Sequence, residues 1–139
     1  MSYLGVYFHN IDNNSRLVIP SAFREKLGPE FVLLKSPDGC VFVYDTETFD
    51  GLFEQVNRQS NTPEGRRKAR NFARASRSVT QDKQGRFTVP AEFIEHASLG
   101  EGVAITGMGN RIELWSQAEY ELQQAEESCT EESFPEIFY

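Results

Sequence analysis

The chain has 139 residues, with 14 Lys+Arg against 21 Asp+Glu and a net charge of −7. That length suits one compact unit or two small fused ones, and 11 Phe, 5 Tyr and 1 Trp are enough for a core, which excludes wholesale disorder. No run of about 18 apolar residues offers a spanning helix, residues 1–10 show no signal peptide, and Cys40 and Cys129 form neither a zinc-ligand spacing nor a disulfide framework.

Tyr3 to His9 reads as a strand, and Asn10 to Ser15 is dense in turn formers. Arg16 to Ile19 is a second strand, with Pro20 suited to the first position of a short helix ending near Gly28. Phe31 to Lys35 and Cys40 to Tyr44 form a hairpin around Ser36-Pro37-Asp38-Gly39. Asp45 then caps an amphipathic helix through Phe49, Leu52, Phe53 and Val56. Thr62-Pro63-Glu64 opens a further helix, capped by Thr62. Arg66, Arg70, Arg74 and Arg77 share one sector of it, while Ala69, Phe72 and Ser76 mark a packed one. The remainder reads as strand Ser76 to Thr80, turn, strand Arg86 to Val89, Pro90 and a short helix. After these come strand Val103 to Thr106, the turn Gly107-Met108-Gly109-Asn110, strand Arg111 to Trp115, and a helix from Gln117 to about Glu126. The acidic, then aromatic, tail has no periodicity and reads as a segment without regular structure.

Charge is spread unevenly. Residues 1–57 carry net −4, residues 58–86 net +7 and residues 87–139 net −10. A basic middle in an acidic chain points to one local electrostatic footprint rather than a general affinity for polyanions.

The chain also repeats itself. Asp12-Asn13-Asn14-Ser15-Arg16 followed by Leu17-Val18-Ile19-Pro20 returns as Asp82-Lys83-Gln84-Gly85-Arg86 followed by Phe87-Thr88-Val89-Pro90, and the match continues downstream at an offset near 70. The organisation read from this is a first repeat over 1–57, a basic linker helix over 58–75, a second repeat with a C-terminal helix over 76–127, and a tail over 128–139. Taken singly, an Asp-x-x-x-Arg turn is structural, its carboxylate accepting turn N–H groups and pairing with the Arg. Two copies related by a pseudo-two-fold would instead form symmetric readers of a two-fold ligand. Arg suits the paired acceptors of guanine, Lys83 would act as a point charge on phosphate, and Asn13 and Asn14 can bond a base or phosphate. Asp12, Asp82 and Gly85 are then the turn-structuring residues.

The paired turns, with Phe8-His9-Asn10-Ile11-Asp12 before the first and Gly107-Met108-Gly109-Asn110-Arg111-Ile112-Glu113-Leu114-Trp115 after the second, resemble the MraZ family, relatives of the AbrB swapped-hairpin transcription factors. The resemblance covers residues 1 to about 125. It implies an α+β, mainly β fold: two fused AbrB-like swapped-hairpin repeats forming a pseudo-two-fold β-barrel core with short helices. It also implies a cytoplasmic, nucleoid-associated regulator of the division and cell-wall gene cluster that includes its own gene. Such a protein would bind double-stranded DNA with G-rich repeats as a homo-oligomeric ring, with Arg16 and Arg86 as the DNA-reading arginines. No cofactor, metal, membrane or small-molecule substrate is expected. One departure stands out: Asn14-Ser15 replaces the family's usual Lys-Gly, removing a charge and a residue free to take positive φ.

Two other readings stay open. An antitoxin-like DNA-binding protein would use the C-terminal tail on a partner. A decarboxylase-type enzyme of related barrel architecture would need a Gly-Ser cleavage site, and the sequence contains no such dipeptide. His9 and His96 occupy unrelated repeat positions with no partner nucleophile, so no catalytic residue is assigned.

Overall fold

The computed structural model describes residues 2–126 together with 134, 135 and 137; most of the tail read above over 128–139 lies outside the described residues. The first half runs β1 (Tyr3–Asn10), β2 (Arg16–Val18), α1 (Ser21–Leu27), β3 (Glu30–Lys35), β4 (Val41–Asp45) and α2 (Thr46–Arg58). After α3 (Pro63–Arg74) the same order returns as β5 (Ser76–Thr80), β6 (Arg86–Thr88), α4 (Ala91–Ala97), β7 (Gly102–Gly109), β8 (Ile112–Ser116) and α5 (Gln117–Glu126).

The halves exchange strands. A six-stranded antiparallel sheet has the order β1-β7-β8-β4-β3-β5, and a separate two-stranded ribbon joins β2 to β6. Swapping the halves reverses the six-strand order onto itself, so a pseudo-two-fold passes between β4 and β8 and again between β2 and β6. The first strand of each repeat pairs inside the other: Tyr3 with Gly109 in β1–β7, and Phe31 with Val79 in β3–β5. Strands β1 and β5 are the free edges, and neither sheet closes on itself.

Alternation along the strands sorts the layers. In β3, Phe31 and Leu33 face the main core while Val32 and Leu34 join a second cluster on the other face. The main core lies between the sheet's inner face and the ribbon, filled by Leu17 and Phe87 from the ribbon and by Phe23 and Phe93 from α1 and α4. Phe31 and Phe87 meet edge to face at 5.1 Å. The opposite face of the sheet carries α2 and α3, where Phe72 stacks on Phe49 at 5.5 Å and meets Phe53 edge-on at the same distance. Asp45 caps α2 by accepting from the Thr48 N–H at 2.9 Å, and Thr62 caps α3 by accepting from Gly65.

Several expected boundaries shift. Gly107, Met108 and Gly109 belong to β7 rather than to a turn, and the chain reverses only at Asn110-Arg111. A Cβ at Gly107 would collide with the backbone of Tyr3 and Leu4, so this glycine is what lets β1 lie against β7. Arg77 lies in β5, not on the basic helix, which ends at Arg74. Pro20 and Pro90 precede their helices by one residue, yet each carbonyl accepts the first helical bond, from Phe23 and Phe93 at 2.9 Å.

Candidate nucleic-acid interface

Each connection from a repeat's first strand into the ribbon is a five-residue turn, and the two are built alike. In the first, Asp12 Oδ1 accepts from the backbone N–H groups of Asn14 and Arg16, both at 2.9 Å. The Arg16 side chain returns its Nε–H to Asp12 Oδ2 at 3.2 Å. In the second, Asp82 Oδ1 accepts from Gln84 at 2.9 Å and Arg86 at 3.0 Å, and Arg86 Nε donates to Oδ2 at 2.8 Å. Backbone bonds close both turns, from Ser15 to the Asp12 carbonyl and from Gly85 to the Asp82 carbonyl, each at 3.0 Å.

Asp12 and Asp82 thus accept turn N–H groups, and Gly85 closes the second turn. Both carboxyls are held below the ordinary carboxylate value, first by the backbone N–H of Arg16 and of Arg86 and then by the remaining turn donors and the guanidinium charge. An exposed Asp–Arg pair adds little stability. Its geometric effect is larger: the guanidinium is anchored by Nε, which leaves the Nη atoms out of the Asp–Arg bond. Only Arg86 spends one of them, on a long 3.4 Å bond to Gln84.

The ribbon register places the two arginines together. Arg16 pairs with Thr88 and Arg86 with Val18. Leu17 and Phe87 point into the core, so the alternation sends Arg16, Val18, Arg86 and Thr88 to the outward face. The arginines are diagonal neighbours across the pseudo-two-fold, with a backbone spacing of about 7–8 Å for such pairs. Asn13, Asn14 and Lys83 are exposed at the tips of the same turns.

A further residue, not singled out from the sequence, completes the second turn. Arg24 on α1 donates Nε–H to the Ile19 carbonyl at 2.7 Å and lies over Gly85, where a Cβ would meet its guanidinium. With Lys83 and Gln81 it borders a groove of about 400 Å3 beside the turn. The available signal was a broken repeat, because the corresponding position in the second half is Ile94.

The expected single basic footprint divides in two. Arg66, Arg67, Lys68, Arg70 and Arg74 are exposed on α3, which packs on the face of the sheet opposite the ribbon. They do not join Arg16 and Arg86. On the α5 side, Glu113 is buried and accepts from Arg111 Nε at 3.0 Å and Nη2 at 2.8 Å, and from Trp115 Nε1 at 3.0 Å. This explains the Arg-Ile-Glu-Leu-Trp string as a packed polar network.

A family model described as "MraZ protein, putative antitoxin-like" matches residues 3–71 and again 72–137. The chain belongs to the MraZ family. It is 41% identical to the transcriptional regulator MraZ of Finegoldia magna, over 86% of this chain and 84% of that protein. It is also 35% identical to the transcriptional regulator MraZ of Lachnoclostridium phytofermentans and 38% identical to that of Clostridium acetobutylicum, each over about 85% of this chain and 84% of the relative. MraZ proteins are named as regulators and not as enzymes, which removes the decarboxylase reading.

Proposed function

We propose that this MraZ protein is a transcriptional regulator that binds DNA sequence-specifically through the outward face of its ribbon. The observation that supports this most is the pair of like-built turns that hold Arg16 and Arg86 on one face. The two arginines leave the same outward face of one short ribbon, Arg16 opposite Thr88 and Arg86 opposite Val18, so one DNA element would meet both. Bidentate contact of each Nη edge with guanine O6 and N7 favours G-rich repeats. Lys83 at the turn tip and Arg24 beside the second turn would meet phosphates that fix the register, and Asn13 and Asn14 a base or phosphate. In this reading the protein acts in the cytoplasm at the nucleoid, on the division and cell-wall cluster that includes its own gene. The test is binding to duplexes from that upstream region, with guanines replaced one at a time. Equal affinity for the native and guanine-depleted duplexes would refute it.

The reading includes a homo-oligomeric ring. Phe72 of α3 covers the outer face at β3 and β4, whereas the β1–β7 end of the sheet and α5 leave Leu4 68%, Phe8 53%, Met108 47% and Leu122 60% exposed. An apolar face of this kind is a natural contact for a second copy, and joining unlike faces of a pseudo-symmetric unit closes rings when the rotation between copies allows. Ring presentation would multiply modest single-site affinities over several repeats. Sedimentation of the native chain and of Phe8→Asp tests this: the native chain is expected to be a large oligomer and the variant a much smaller species. A native monomer at micromolar concentration would refute it.

A further inference from the structure

The two ends of the six-stranded sheet differ in chemistry. At the β3–β5 end lies α3, which carries Arg66, Arg67, Lys68, Arg70 and Arg74 against Glu64 alone. Arg66, Arg70 and Arg74 follow at i, i+4 and i+8, a like-charge spacing that works against a helix. Lys68 pairs with Glu64 at 3.5 Å, but among the described residues the four arginines have no ionic partner. Being on the far side of the sheet from the ribbon, they are not explained by the DNA-reading turns. A groove of about 360 Å3 opens between α2 and α3, with Val56 and Phe72 in its lining and Lys68 at its edge.

The β1–β7 end is acidic and apolar. Helix α5 holds Glu119, Glu121 and Glu126 with no Lys or Arg. Glu119, Leu122 and Glu126 stand at i, i+3 and i+7, one face of the helix, and all three are exposed. Beside them Leu4, Val6 and Phe8 share one side of β1 by alternation, with Met108 paired to Leu4 in β7. Phe8 meets Tyr120 of α5 at 5.6 Å, which joins strand and helix into one surface.

We propose that α5 and the β1 edge of one copy dock on α3 and its groove in the next copy. Glu119, Glu121 and Glu126 then meet the α3 arginines, and Leu122 meets Val56 and Phe72. The docking presupposes the homo-oligomeric ring and names the two surfaces that meet in it. Charge selects a second copy in this orientation: five cations face three acids, whereas two α3 helices, or two α5 helices, repel. The surfaces sit at opposite ends of one sheet, so each copy offers one of each and the contact is heterologous, repeating from copy to copy. Docking also withdraws the α3 arginines from stray polyanions and leaves the ribbon as the open cationic surface.

Paired charge reversals in the full-length chain test this by sedimentation without nucleic acid, with urea unfolding to verify that each variant is folded. Arg66→Glu/Arg70→Glu/Arg74→Glu makes both surfaces acidic, and Glu119→Arg/Glu121→Arg/Glu126→Arg makes both basic. Each variant alone is expected to sediment as a much smaller species than the native oligomer. Their equimolar mixture should return to large assemblies, because altered surface then meets altered surface and native meets native. A second measurement needs no substitution: zero-length carbodiimide coupling of mixed isotopically light and heavy native chains should link Lys68 of one copy to Glu119, Glu121 or Glu126 of another. The Lys68–Glu64 pair supplies the control for a reactive helix. The proposal is overturned if the native oligomer keeps its size in both variants, if the mixture stays small, or if the control link forms without links to α5. A native monomer removes the ring itself, whereas a native oligomer indifferent to both reversals removes only this interface.

Discussion

Ser15 and Gly85 occupy the same point in the two turns, and each gives its carbonyl to the other repeat. Ser15 accepts from the Val89 N–H at 2.8 Å, and Gly85 accepts from the Ile19 N–H at 2.7 Å. Both lie in the left-handed region, Ser15 at φ +61 and Gly85 at φ +80. Loss of the usual glycine in the first turn has therefore not changed its path; Ser15 takes the conformation that glycine would. The second turn cannot make the same exchange, because Arg24 fills the space a side chain would need.

Replacing these residues should give unequal results. Gly85→Ala is expected to destabilise the protein by about 1–2 kcal/mol from left-handed geometry alone, and by more as Arg24 is displaced. Ser15→Ala should stay within about 0.5 kcal/mol. Urea unfolding of the two variants checks this, and equal losses would contradict the asymmetry.

Arg86→Ala is expected to lose about 1–3 kcal/mol of discrimination at a guanine contact. Arg16→Ala should do the same, since its turn is built with the same bonds. Titration against native and guanine-substituted duplexes measures both. Unchanged discrimination in the double variant would leave the turns as structural features only.

Lys83→Gln should act on a different quantity. A phosphate contact contributes about −0.9 to the logarithmic salt slope of binding, so the slope should become shallower by about that amount while sequence preference persists. A changed preference with an unchanged slope would place Lys83 on a base.

The turns should also set an acid limit. Asp12 and Asp82 titrate below their ordinary 3.8 in the folded chain, chiefly because backbone N–H groups favour the charged carboxylate. A carboxyl depressed by folding stabilises the native state above its unfolded value of about 3.9, and that contribution is lost as pH falls through the lower folded values. Both turns should therefore remain closed from neutrality to about pH 4 and loosen as pH falls through the lower folded values of the two carboxyls. Carbon-detected NMR titration of the two carboxyls should give midpoints under 3.8; a midpoint at or above that value would contradict the hydrogen-bonding pattern.

Phe72→Ala tests the covered face. Removing the half-buried ring that stacks on Phe49 and meets Phe53 should cost part of the about 1.5–3 kcal/mol that full burial is worth, read by urea unfolding. A neutral result would mean that α3 is not held by its aromatic contact.

Much of this arrangement is legible in the sequence because the repeat marks it twice. The Asp-to-Arg spacing, the helix caps at Asp45 and Thr62, and the alternation of Phe31 to Leu34 are local signals, and each appears where local chemistry puts it. What escaped depends on contacts between distant segments. Gly107 and Gly109 look like turn formers until β1 is laid beside them, since the need for a missing side chain at 107 arises from the backbone of Tyr3 and Leu4. Arg24 gains its place over Gly85 only after the second half docks. The side of the sheet on which α3 lies follows from the packing of Phe72, and no run of charges encodes it.

Strand exchange has a consequence for how the protein is made. Tyr3 pairs with Gly109 across about three-quarters of the chain, so β1 leaves the ribosome well before β7 and finds no partner until β7 has followed. At about 5–20 residues per second, the wait is on the order of ten seconds. During that interval Leu4, Val6 and Phe8 belong to an unpaired strand, and half a protein is not half a fold. A stop after the first repeat would yield β3 without β5 and β1 without β7, so neither repeat should survive as a fragment. The fusion of two copies into one chain thus makes assembly of the pseudo-dimer independent of concentration, at the expense of making its completion all-or-none.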